Sequence, residues 1–277
     1  MQNAGIAALG LDWQYLAFAV PPADLPAALA GAKAMGFIGL NLTVPHKVAA
    51  LDLLDDVDVN ARKWGAVNTV RFEALSAPGE WRAIGDSPAP PAAAVRAKGY
   101  NTDAEAIVRA LREDLGLDPR GARVLVLGAG GAGRVAALKL AEAGADTLHL
   151  INRTPAKAQA VALDIRHNFP GVTVFFDYPN SAVDLVLNAT SLGLHPNDAL
   201  PWDESRFALG RAHAAYDMIY RPAETPFLRQ ARQAGCRTAN GVGMLLYQGA
   251  MALELWSGRP APIPQMRRAL EESFYAR

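Results

Sequence analysis

The sequence predicts an α/β fold with a doubly wound parallel sheet in its second half and a smaller α/β region before it. Of the 277 residues, 51% are apolar, which is enough for the core of one large domain or two modest ones. From residue 121 onward, buried-strand patterns alternate with helical patterns, an order that is typical of parallel sheets. The first of these strands, RVLVLG, ends in a glycine-rich turn that opens a helix.

Residues 4–100 consist of short alternating elements. A proline near the start and Gly36 after the end mark the first helix. We predict, in order, a helix at 21–36, a strand at 37–44, a helix at 46–65 and a strand at 66–72. Residues 76–99 are rich in Pro, Ala and Gly and have no clear period, so we predict a long surface loop there.

The second half has longer and more regular elements. Its strand patterns are buried on both faces, as in a sheet covered by helices. We predict strands at 123–128, 146–153, 172–176, 183–190 and 214–220. The predicted helices are 131–145, 154–169, 241–258 and 263–277.

Composition excludes several classes of function. The 27 basic and 27 acidic residues leave no excess charge for nucleic acid or anionic lipid. No uncharged apolar run approaches the ~20 residues that span a bilayer, and the start has no signal-peptide pattern. A single cysteine, Cys236, excludes a disulfide framework and is typical of a reducing cytoplasm. The scattered histidines form no HxxxH pair, so we expect no metal site.

The turn after RVLVLG has the pattern of a dinucleotide site. Gly128-x-Gly130-x-x-Gly133 follows a strand and opens a helix. The first glycine permits a tight turn, the second lets the backbone approach a pyrophosphate, and the third lets the helix pack on the strand. The phosphates would lie at the helix N-terminus, which favours anions. The alternative is a plain tight turn in an α/β domain.

The residues after the next strand favour NADP over NAD. An acidic residue normally binds the ribose hydroxyl of NAD there, but this chain has Asn152 and Arg153, followed by Thr154 and Lys157. An arginine can form a bidentate contact with a 2′-phosphate. The alternative is that the two cations are ordinary surface charges, although cations at a helix N-terminus oppose the helix dipole.

Polar residues also occur where apolar packing does not explain them. Asn68 lies inside a strand pattern, which asparagine usually avoids. Thr102 and Glu105 match a capping box, which leaves Asp103 available for another role; the alternative is that Asp103 itself caps the helix. Gln248 lies on an apolar helical face, where its amide needs a partner, either a backbone group or a hydroxylated ligand.

Eight motifs together resemble the shikimate dehydrogenases, NADP-dependent enzymes that reduce 3-dehydroshikimate. The resemblance covers the whole chain and is specific because all the motifs occur in the family's order. They are NLTVPHK at 41–47, GAVNTV at 65–70, GYNTD at 99–103, GAGGAGR at 128–134, NRT at 152–154, NATSLGL at 188–194, DMIY at 217–220 and GVGMLLYQGA at 241–250.

The resemblance implies a role for each matching residue. Lys47 matches the catalytic lysine and Asp103 the aspartate paired with it, which also binds substrate; the alternative for Lys47 is a solvated surface charge. A Lys–Asp pair can pass a proton to a carbonyl oxygen while hydride reaches the carbon. The implied substrate-binding residues are Thr43, Asn68, Asp103, Tyr220 and Gln248. The implied cofactor-binding residues are Gly128, Ala129, Gly130, Gly131, Ala132, Gly133, Asn152, Arg153, Thr154, Lys157, Thr190, Met218 and Gly241.

The resemblance also implies the organisation of the chain. A substrate domain would cover 1–103, an NADP-binding Rossmann domain 104–235, and C-terminal helices at 236–277 would pack back on the substrate domain. The implied activity is reversible, NADPH-dependent reduction of 3-dehydroshikimate to shikimate in aromatic amino acid and chorismate biosynthesis. We expect a cytoplasmic monomer or homodimer that binds small molecules only.

Two departures from the family pattern leave alternatives open. The family begins with a strand and a loop, S-x-S-P-x-M-H-N, whose hydroxyls bind the substrate carboxylate. Residues 1–9 resemble only the end of this motif, with Gln2 in place of the histidine, so we expect a chain shortened at its N-terminus and lacking that strand. The segment between Asn68 and Gly99 is also longer than the family's short hairpin. The alternatives are a dehydrogenase of quinate or another hydroxylated acid, and a nucleotide-binding paralogue without turnover.

Overall fold

A computed structural model describes residues 1–76, 79–86, 94–195 and 197–275. The chain divides into two compact units, each with its own sheet. Unit 1 comprises residues 1–103 and 246–270, and unit 2 comprises residues 104–245 and 271–277. The C-terminal segment, predicted to pack on the substrate domain, is therefore divided between the two units.

Unit 1 is built on a mixed sheet that has five strands among the described residues. The long strand β3 lies at its centre and pairs antiparallel with β1, β4 and β5, while β2 pairs parallel with β5. The strands are β1 (Gly39–Asn41), β2 (Asp56–Val57), β3 (Thr69–Ser76), β4 (Glu80–Ala83) and β5 (Val95–Tyr100). The carboxyl end of β5 leads directly to Asp103, which places that residue beside the start of β3.

Short helices cover the sheet of unit 1. The predicted helix at 21–36 is confirmed as a 3-10 turn, Pro22–Asp24, followed by α2, and Gly36 follows its end with φ of 71°. Buried Leu25, Leu29 and Ala32 pack with the sheet residues Val70 and Phe72 in the core. The helices that begin in the first hundred residues are α1 (Gln2–Ala8), α2 (Leu25–Ala34), α3 (His46–Ala49) and α4 (Val59–Trp64).

The long C-terminal helix α9 (Val242–Ser257) packs on the sheet of unit 1 through Trp256. The Trp256 indole Nε1 donates a hydrogen bond of 2.9 Å to the Val70 carbonyl of β3. A Cβ on Gly39 of β1 would lie 2.1 Å from that same nitrogen, so only glycine leaves room for the indole. This contact places the preceding turns of α9, which carry Gln248, over the start of β3.

Unit 2 is the doubly wound parallel sheet that the sequence predicts. Its strand order is β11-β10-β9-β6-β7-β8, and every pairing is parallel. In chain order this is the 3-2-1-4-5-6 arrangement of dinucleotide-binding folds, whose ligands bind at the carboxyl ends of the strands. The strands are β6 (Arg123–Leu127), β7 (Thr147–Ile151), β8 (Thr173–Phe175), β9 (Val183–Asn188), β10 (Ala212–Asp217) and β11 (Arg237–Ala239).

Helices α6 to α8 lie within unit 2, and α5 begins at Asp103, the last residue of the first segment of unit 1, and continues in unit 2. The centre of the hydrophobic core of unit 2 is formed by β6 and β9, where Leu125, Leu127 and Val186 have no exposed surface. Phe207 and Phe227 pack against one side of this core. The helices are α5 (Asp103–Leu115), α6 (Gly131–Glu142), α7 (Pro155–Asn168) and α8 (Pro226–Gln233), with α10 (Ile263–Tyr275) running from unit 1 into unit 2.

Two predicted elements in unit 1 are wrong. The surface loop predicted at 76–99 contains β4 and β5, which complete the sheet, and only 77–78 and 87–93 lie outside the described residues. The helix predicted at 46–65 is interrupted by β2. In that segment Asp58 accepts the Asn60 N–H at 2.9 Å and so starts the separate helix α4.

Cys236 is buried just before β11, and its Sγ lies 3.3 Å from the carbonyl oxygens of both Leu209 and Ala212, which share its single S–H donor. Burial raises the pKa of this thiol. Within the described ranges, no helix combines the length and apolar character needed to cross a membrane.

Candidate active site

Lys47 and Asp103 form a close ion pair in unit 1. Lys47 lies in the short helix α3 after Pro45, and Asp103 is the first residue of α5. The Lys47 Nζ atom lies 2.7 Å from Asp103 Oδ2. The two side chains are 28% and 14% exposed, so the amine is held by a carboxylate yet can be reached by a small molecule. Lys47 is therefore not a freely solvated surface charge.

Asn68 holds the second oxygen of Asp103. The residue stands just before β3, is 2% exposed, and donates from Nδ2 to Asp103 Oδ1 at 2.9 Å. Its own Oδ1 accepts the Thr102 N–H at 2.8 Å and the Thr69 hydroxyl at 3.1 Å. Because both carboxylate oxygens are engaged, the orientation of Asp103 toward Lys47 is fixed by the sheet itself.

The predicted capping box at Thr102 is not formed. The Thr102 N–H that the box requires is donated to Asn68 instead, and the Glu105 carboxylate accepts from Lys139 of α6. Helix α5 nevertheless begins at Asp103, next to the predicted cap. Thr102 thus belongs to the polar network around Asp103 rather than to a local helix motif.

Gln248 lies at the edge of this network, whereas Thr43 stands in the segment between β1 and α3. Gln248 of α9 places Oε1 3.5 Å from Asn68 Nδ2, a long contact between two side chains. Thr43 follows β1, has an exposed side chain, and accepts the His46 N–H on its carbonyl at 2.8 Å. The structure therefore brings Lys47, Asp103, Asn68 and Gln248 into one hydrogen-bonded group.

Sequence reasoning missed the continuation of this network. The Asn41 amide donates to Thr69 Oγ1 at 3.1 Å, and the Tyr15 hydroxyl donates to Asn41 Oδ1 at 3.0 Å. Burial raises the pKa of Tyr15. The available signal was Asn41, a polar residue inside the strand predicted at 37–44, and the structure pairs it in register with Thr69 of β3.

The glycine-rich turn of unit 2 has the geometry of a phosphate cradle. Gly128 has φ of 102°, a conformation that disfavours other residues. A Cβ on Gly133 would lie 2.1 Å from the Gly128 carbonyl oxygen, so helix α6 can approach the strand only with glycine there. Added Cβ atoms on Gly130 and Gly131 would meet nothing within 4 Å. The space before the α6 N-terminus is thus open, and its free N–H groups suit a pyrophosphate.

The residues after β7 are tied to this turn. Asn152 accepts the Ala129 N–H on Oδ1 at 2.9 Å and donates to the Thr154 carbonyl at 2.8 Å. This bridge ties the backbone on both sides of Arg153 to the glycine-rich turn, and the side chains of Arg153 and Lys157 are both exposed. Neither forms an ion pair within the described residues, and Thr154 precedes α7 as its N-cap.

Thr190 and Met218 follow the carboxyl ends of β9 and β10, and Gly241 follows that of β11. Thr190 follows β9, and a Cβ on Gly128 would lie 2.9 Å from its methyl group, so it adjoins the cradle. Met218 follows β10 and is half-buried. Gly241 donates its N–H to the Ile219 carbonyl at 3.0 Å, and its Cβ would lie 2.2 Å from the Met218 carbonyl oxygen.

Tyr220 belongs to unit 2 and is 39% exposed. Its ring stacks on Phe274 of α10, with ring centroids 5.2 Å apart, and its carbonyl accepts the Tyr275 hydroxyl at 3.2 Å. The described part of the chain holds no group of three His, Cys, Asp or Glu side chains arranged to bind a metal ion.

Three family models match the chain. The shikimate dehydrogenase substrate binding domain matches residues 1–70, and shikimate / quinate 5-dehydrogenase matches residues 111–192. The shikimate 5′-dehydrogenase C-terminal domain matches residues 241–271.

Full-length relatives and solved structures agree with these matches. The NADP(+) shikimate dehydrogenase of Moorella thermoacetica is 44% identical over 100% of this chain and 88% of that protein. The shikimate 5-dehydrogenase of Thermus thermophilus, solved with NADP(H) and shikimate, is 35% identical with a TM-score of 0.80 over 98% of this chain and 92% of that one. A 5-ketofructose reductase of a Gluconobacter strain, in ligand-free form, is also 35% identical, with a TM-score of 0.81 over 99% and 92%.

Proposed function

The chain belongs to the shikimate dehydrogenase family, and on that premise we propose that it catalyses the reversible, NADPH-dependent reduction of 3-dehydroshikimate to shikimate in aromatic amino acid biosynthesis. The observation that carries the proposal is the ion pair of Lys47 and Asp103, with 2.7 Å between Nζ and Oδ2. The buried Asn68 holds Asp103 in place by a hydrogen bond. Asp103 in turn orients Lys47, as expected where the proton donor is positioned before the substrate binds.

Reduction of a ketone adds a hydride to carbon and a proton to oxygen. NADPH, when bound, supplies the hydride. Lys47 in its ammonium form donates the proton to the carbonyl oxygen and becomes a neutral amine. In the reverse direction the amine takes the hydroxyl proton of shikimate. Asp103 remains ionised and orients Nζ, while Asn68 prevents the carboxylate from turning away.

The residues around the glycine-rich turn would hold the cofactor. The N–H groups of Gly131, Ala132 and Gly133 begin helix α6 at the open space that a pyrophosphate would fill. The exposed Arg153 and Lys157 would bind the 2′-phosphate, because two cations beside the cradle match its charge. Thr190, Met218 and Gly241 would line the nicotinamide end.

The hydroxyl groups of the substrate require several polar partners. We assign substrate contacts to Asn68, Asp103 and Gln248, which share one hydrogen-bonded group with Lys47, and to the exposed Thr43. Tyr220 of unit 2 would add a phenolic hydroxyl. Such pairings discriminate strongly between polyhydroxylated substrates, since a missing hydroxyl leaves a buried polar group without a partner.

A second substrate class has specific support. A 5-ketofructose reductase has a TM-score of 0.81 with this chain, so the same fold acts on another hydroxylated ketone. The proton chemistry of Lys47 would serve either substrate, and the polar groups around it would decide between them. The expected cytoplasmic location and the monomeric or homodimeric state remain predictions.

Steady-state kinetics with four alcohols test the proposal. We expect NADP-dependent oxidation of shikimate with kcat/KM at least about tenfold above that for quinate, fructose or glucose, the selectivity of roughly one hydrogen bond. Fructose as the preferred alcohol would support the second substrate class. Binding of NADP without oxidation of any of the four would overturn the assignment and favour a nucleotide-binding paralogue.

A further inference from the structure

A buried carboxylate lies at the carboxyl end of β10 and has no part in the proton transfer described above. Asp217 has no exposed surface. Its oxygens accept three hydrogen bonds, from Asn188 Nδ2 at 3.0 Å, the Ile219 N–H at 3.0 Å and the Thr225 hydroxyl at 2.6 Å. None of the ion pairs in the described part of the chain includes it. Burying a carboxylate without a cation is costly, so its place calls for an explanation.

Asn188 connects this carboxylate to the glycine-rich turn. Asn188 ends β9 and stands in register with Asp217 on one side and with Leu127, the last residue of β6, on the other. Its Oδ1 accepts both the hydroxyl of Thr190 at 2.7 Å and the Thr190 N–H at 3.0 Å. A two-step chain of hydrogen bonds thus runs from Asp217 to Thr190, which adjoins Gly128.

The chain of hydrogen bonds has a fixed polarity. A carboxylate only accepts, so Asn188 must turn its NH₂ group toward Asp217 and its oxygen toward Thr190. The Thr190 hydroxyl then donates to Asn188 and accepts the Leu192 N–H at 3.1 Å. Its remaining lone pair is an acceptor, which suits the N–H group of a carboxamide such as that of nicotinamide.

A second branch reaches Met218. Asp217 accepts the Ile219 N–H, and the Asn188 carbonyl accepts the Met218 N–H at 2.9 Å. The loops that follow β9 and β10 are therefore both anchored on the Asp217–Asn188 pair. These loops carry the residues assigned above to the nicotinamide end of the cofactor.

We propose that Asp217 is a positioning residue for the nicotinamide half of NADP, acting through Asn188 on Thr190 and through the Ile219 N–H on Met218. This inference rests on the proposed function, because it assumes that the cradle of unit 2 binds that dinucleotide. Asp217 does not touch the cofactor; it sets the orientation of the groups that do.

Calorimetric titration with NADP and with 2′,5′-ADP separates this role from general support of the fold. The second probe has the 2′-phosphate and adenine but no nicotinamide. In Asp217→Ala we expect NADP affinity to fall roughly tenfold or more, the effect of losing one or two hydrogen bonds. The affinity for 2′,5′-ADP should stay within about twofold of the wild-type value. Asp217→Asn keeps an acceptor toward Asn188 and Ile219 and should recover NADP affinity to within about threefold of wild type.

A matched control lies at the opposite end of the same strands. Asp184 of β9 accepts the Arg123 N–H of β6 at 2.8 Å and contacts His213 of β10 at 3.3 Å. Asp184→Ala therefore perturbs the same three strands far from the glycine-rich turn, and should change neither affinity. Equal weakening of both probes in Asp217→Ala, or weakening of neither, would overturn the positioning role.

If Asp217→Ala does not fold, a second variant tests the same proposal. Thr190 is the half-buried last member of the series of hydrogen bonds that begins at Asp217, and Thr190→Val removes only its hydroxyl. This variant should have a lower affinity for NADP and an unchanged affinity for 2′,5′-ADP. An unchanged NADP affinity would contradict the proposal. The titrations use no substrate. A wild-type protein that fails to oxidise shikimate would therefore overturn the proposed reaction and leave the role of Asp217 to be decided by the two affinities.

Discussion

Lys47 and Asp103 stand 56 positions apart in the sequence, yet Lys47 Nζ lies 2.7 Å from Asp103 Oδ2. The pairing depends on the sheet, because the Lys47 carbonyl accepts the Val67 N–H at 2.8 Å and the Asn68 N–H binds the Tyr100 carbonyl at 3.0 Å. The two chemical groups are thus aligned by backbone pairing before any ligand arrives, which lowers the cost of orienting them during the reaction.

Lys47→Ala should lower kcat by about 10² to 10⁴, the usual contribution of general acid–base catalysis. NADP affinity should remain nearly unchanged, because the Lys47 amine acts on the substrate oxygen. The measurement is kcat for shikimate oxidation together with calorimetric NADP titration. Lys33 is a matched control, because its Nζ also lies 2.7 Å from a carboxylate, that of Asp55. Lys33→Ala should retain activity, and wild-type kcat in Lys47→Ala would exclude the proton role.

Arg153→Ala should weaken NADP about ten- to hundredfold and leave NAD nearly unaffected. A charge-assisted bidentate contact is worth roughly 1.5–3 kcal/mol, and only NADP carries the 2′-phosphate that forms it. Michaelis constants for both cofactors check this. The control is Arg112→Ala, an exposed arginine of α5 that pairs with Asp118. Equal weakening of NADP and NAD would mean that Arg153 does not recognise the 2′-phosphate.

Gly131 and Gly133 should respond differently to alanine. A Cβ on Gly133 would lie 2.1 Å from the Gly128 carbonyl oxygen, so Gly133→Ala must displace helix α6 and destabilise unit 2 by roughly 1–3 kcal/mol. A Cβ on Gly131 meets nothing within 4 Å, so Gly131→Ala should fold normally. It should nevertheless weaken NADP, because the methyl group projects into the cradle. Urea unfolding and NADP titration of both variants give the comparison; equal stability losses would contradict it.

Stability should depend on pH through Asp217. Burial raises its pKa from 3.8 to about 6, although hydrogen bonds from Thr225, Ile219 and Asn188 lower it. The Asp217 carboxyl group therefore binds its proton more tightly in the folded protein than in the unfolded chain. The stability that this protonated group contributes is fully present below about pH 4 and is lost as the pH rises through about 6. A shift of about two units corresponds to about 3 kcal/mol.

Asp217→Asn provides the readout for this dependence, because an amide does not titrate. The free energy of unfolding of wild type minus that of the variant should decrease between about pH 4 and pH 7, and titrations of other groups cancel in the difference. A difference that stays constant over this range would show that Asp217 ionises in the folded protein as it does in the unfolded chain.

The parallel sheet of unit 2 could be predicted from the sequence because its signals are local. Buried strands such as Val124–Leu127 are continuous apolar runs, and the Gly128 turn has a steric requirement visible in the motif. The prediction of α6 and α7 needed only helical periodicity and caps. These elements can be predicted without knowing which distant segments of the chain they pack against.

The sheet of unit 1 could not be predicted as well because it depends on partners far apart in the chain. Strand β5 contains Arg96 and Lys98 rather than an apolar run, and it is stabilised by ion pairs to Glu73 of β3 and Asp56 of β2. Strand β2 has only two residues and exists through its pairing with β5. Prediction from strand propensity alone gives a polar loop for both β2 and β5.

The polar network behind the nicotinamide residues was missed for a similar reason. Asn188 and Asp217 each begin one of the motifs of the resemblance, but no role was predicted for either, whereas the parallel order places their strands side by side with the two residues in register. A usable signal was present: each is a polar residue that ends a buried strand, at the edge where such sheets bind ligands.

Cys236 is the only cysteine of the chain, and its thiol is buried and bonded to two carbonyls. The thiolate is the nucleophile that attacks thiol-directed reagents, and it must be exposed to reach them, so this buried residue should be inert toward them in the folded protein. The natural sequence is therefore already a background for site-directed labelling. One engineered cysteine at an exposed position of each unit, for example Val59→Cys and Leu163→Cys, would accept a pair of fluorophores or spin labels without removal of a native thiol. Each label would report ligand binding from its own unit.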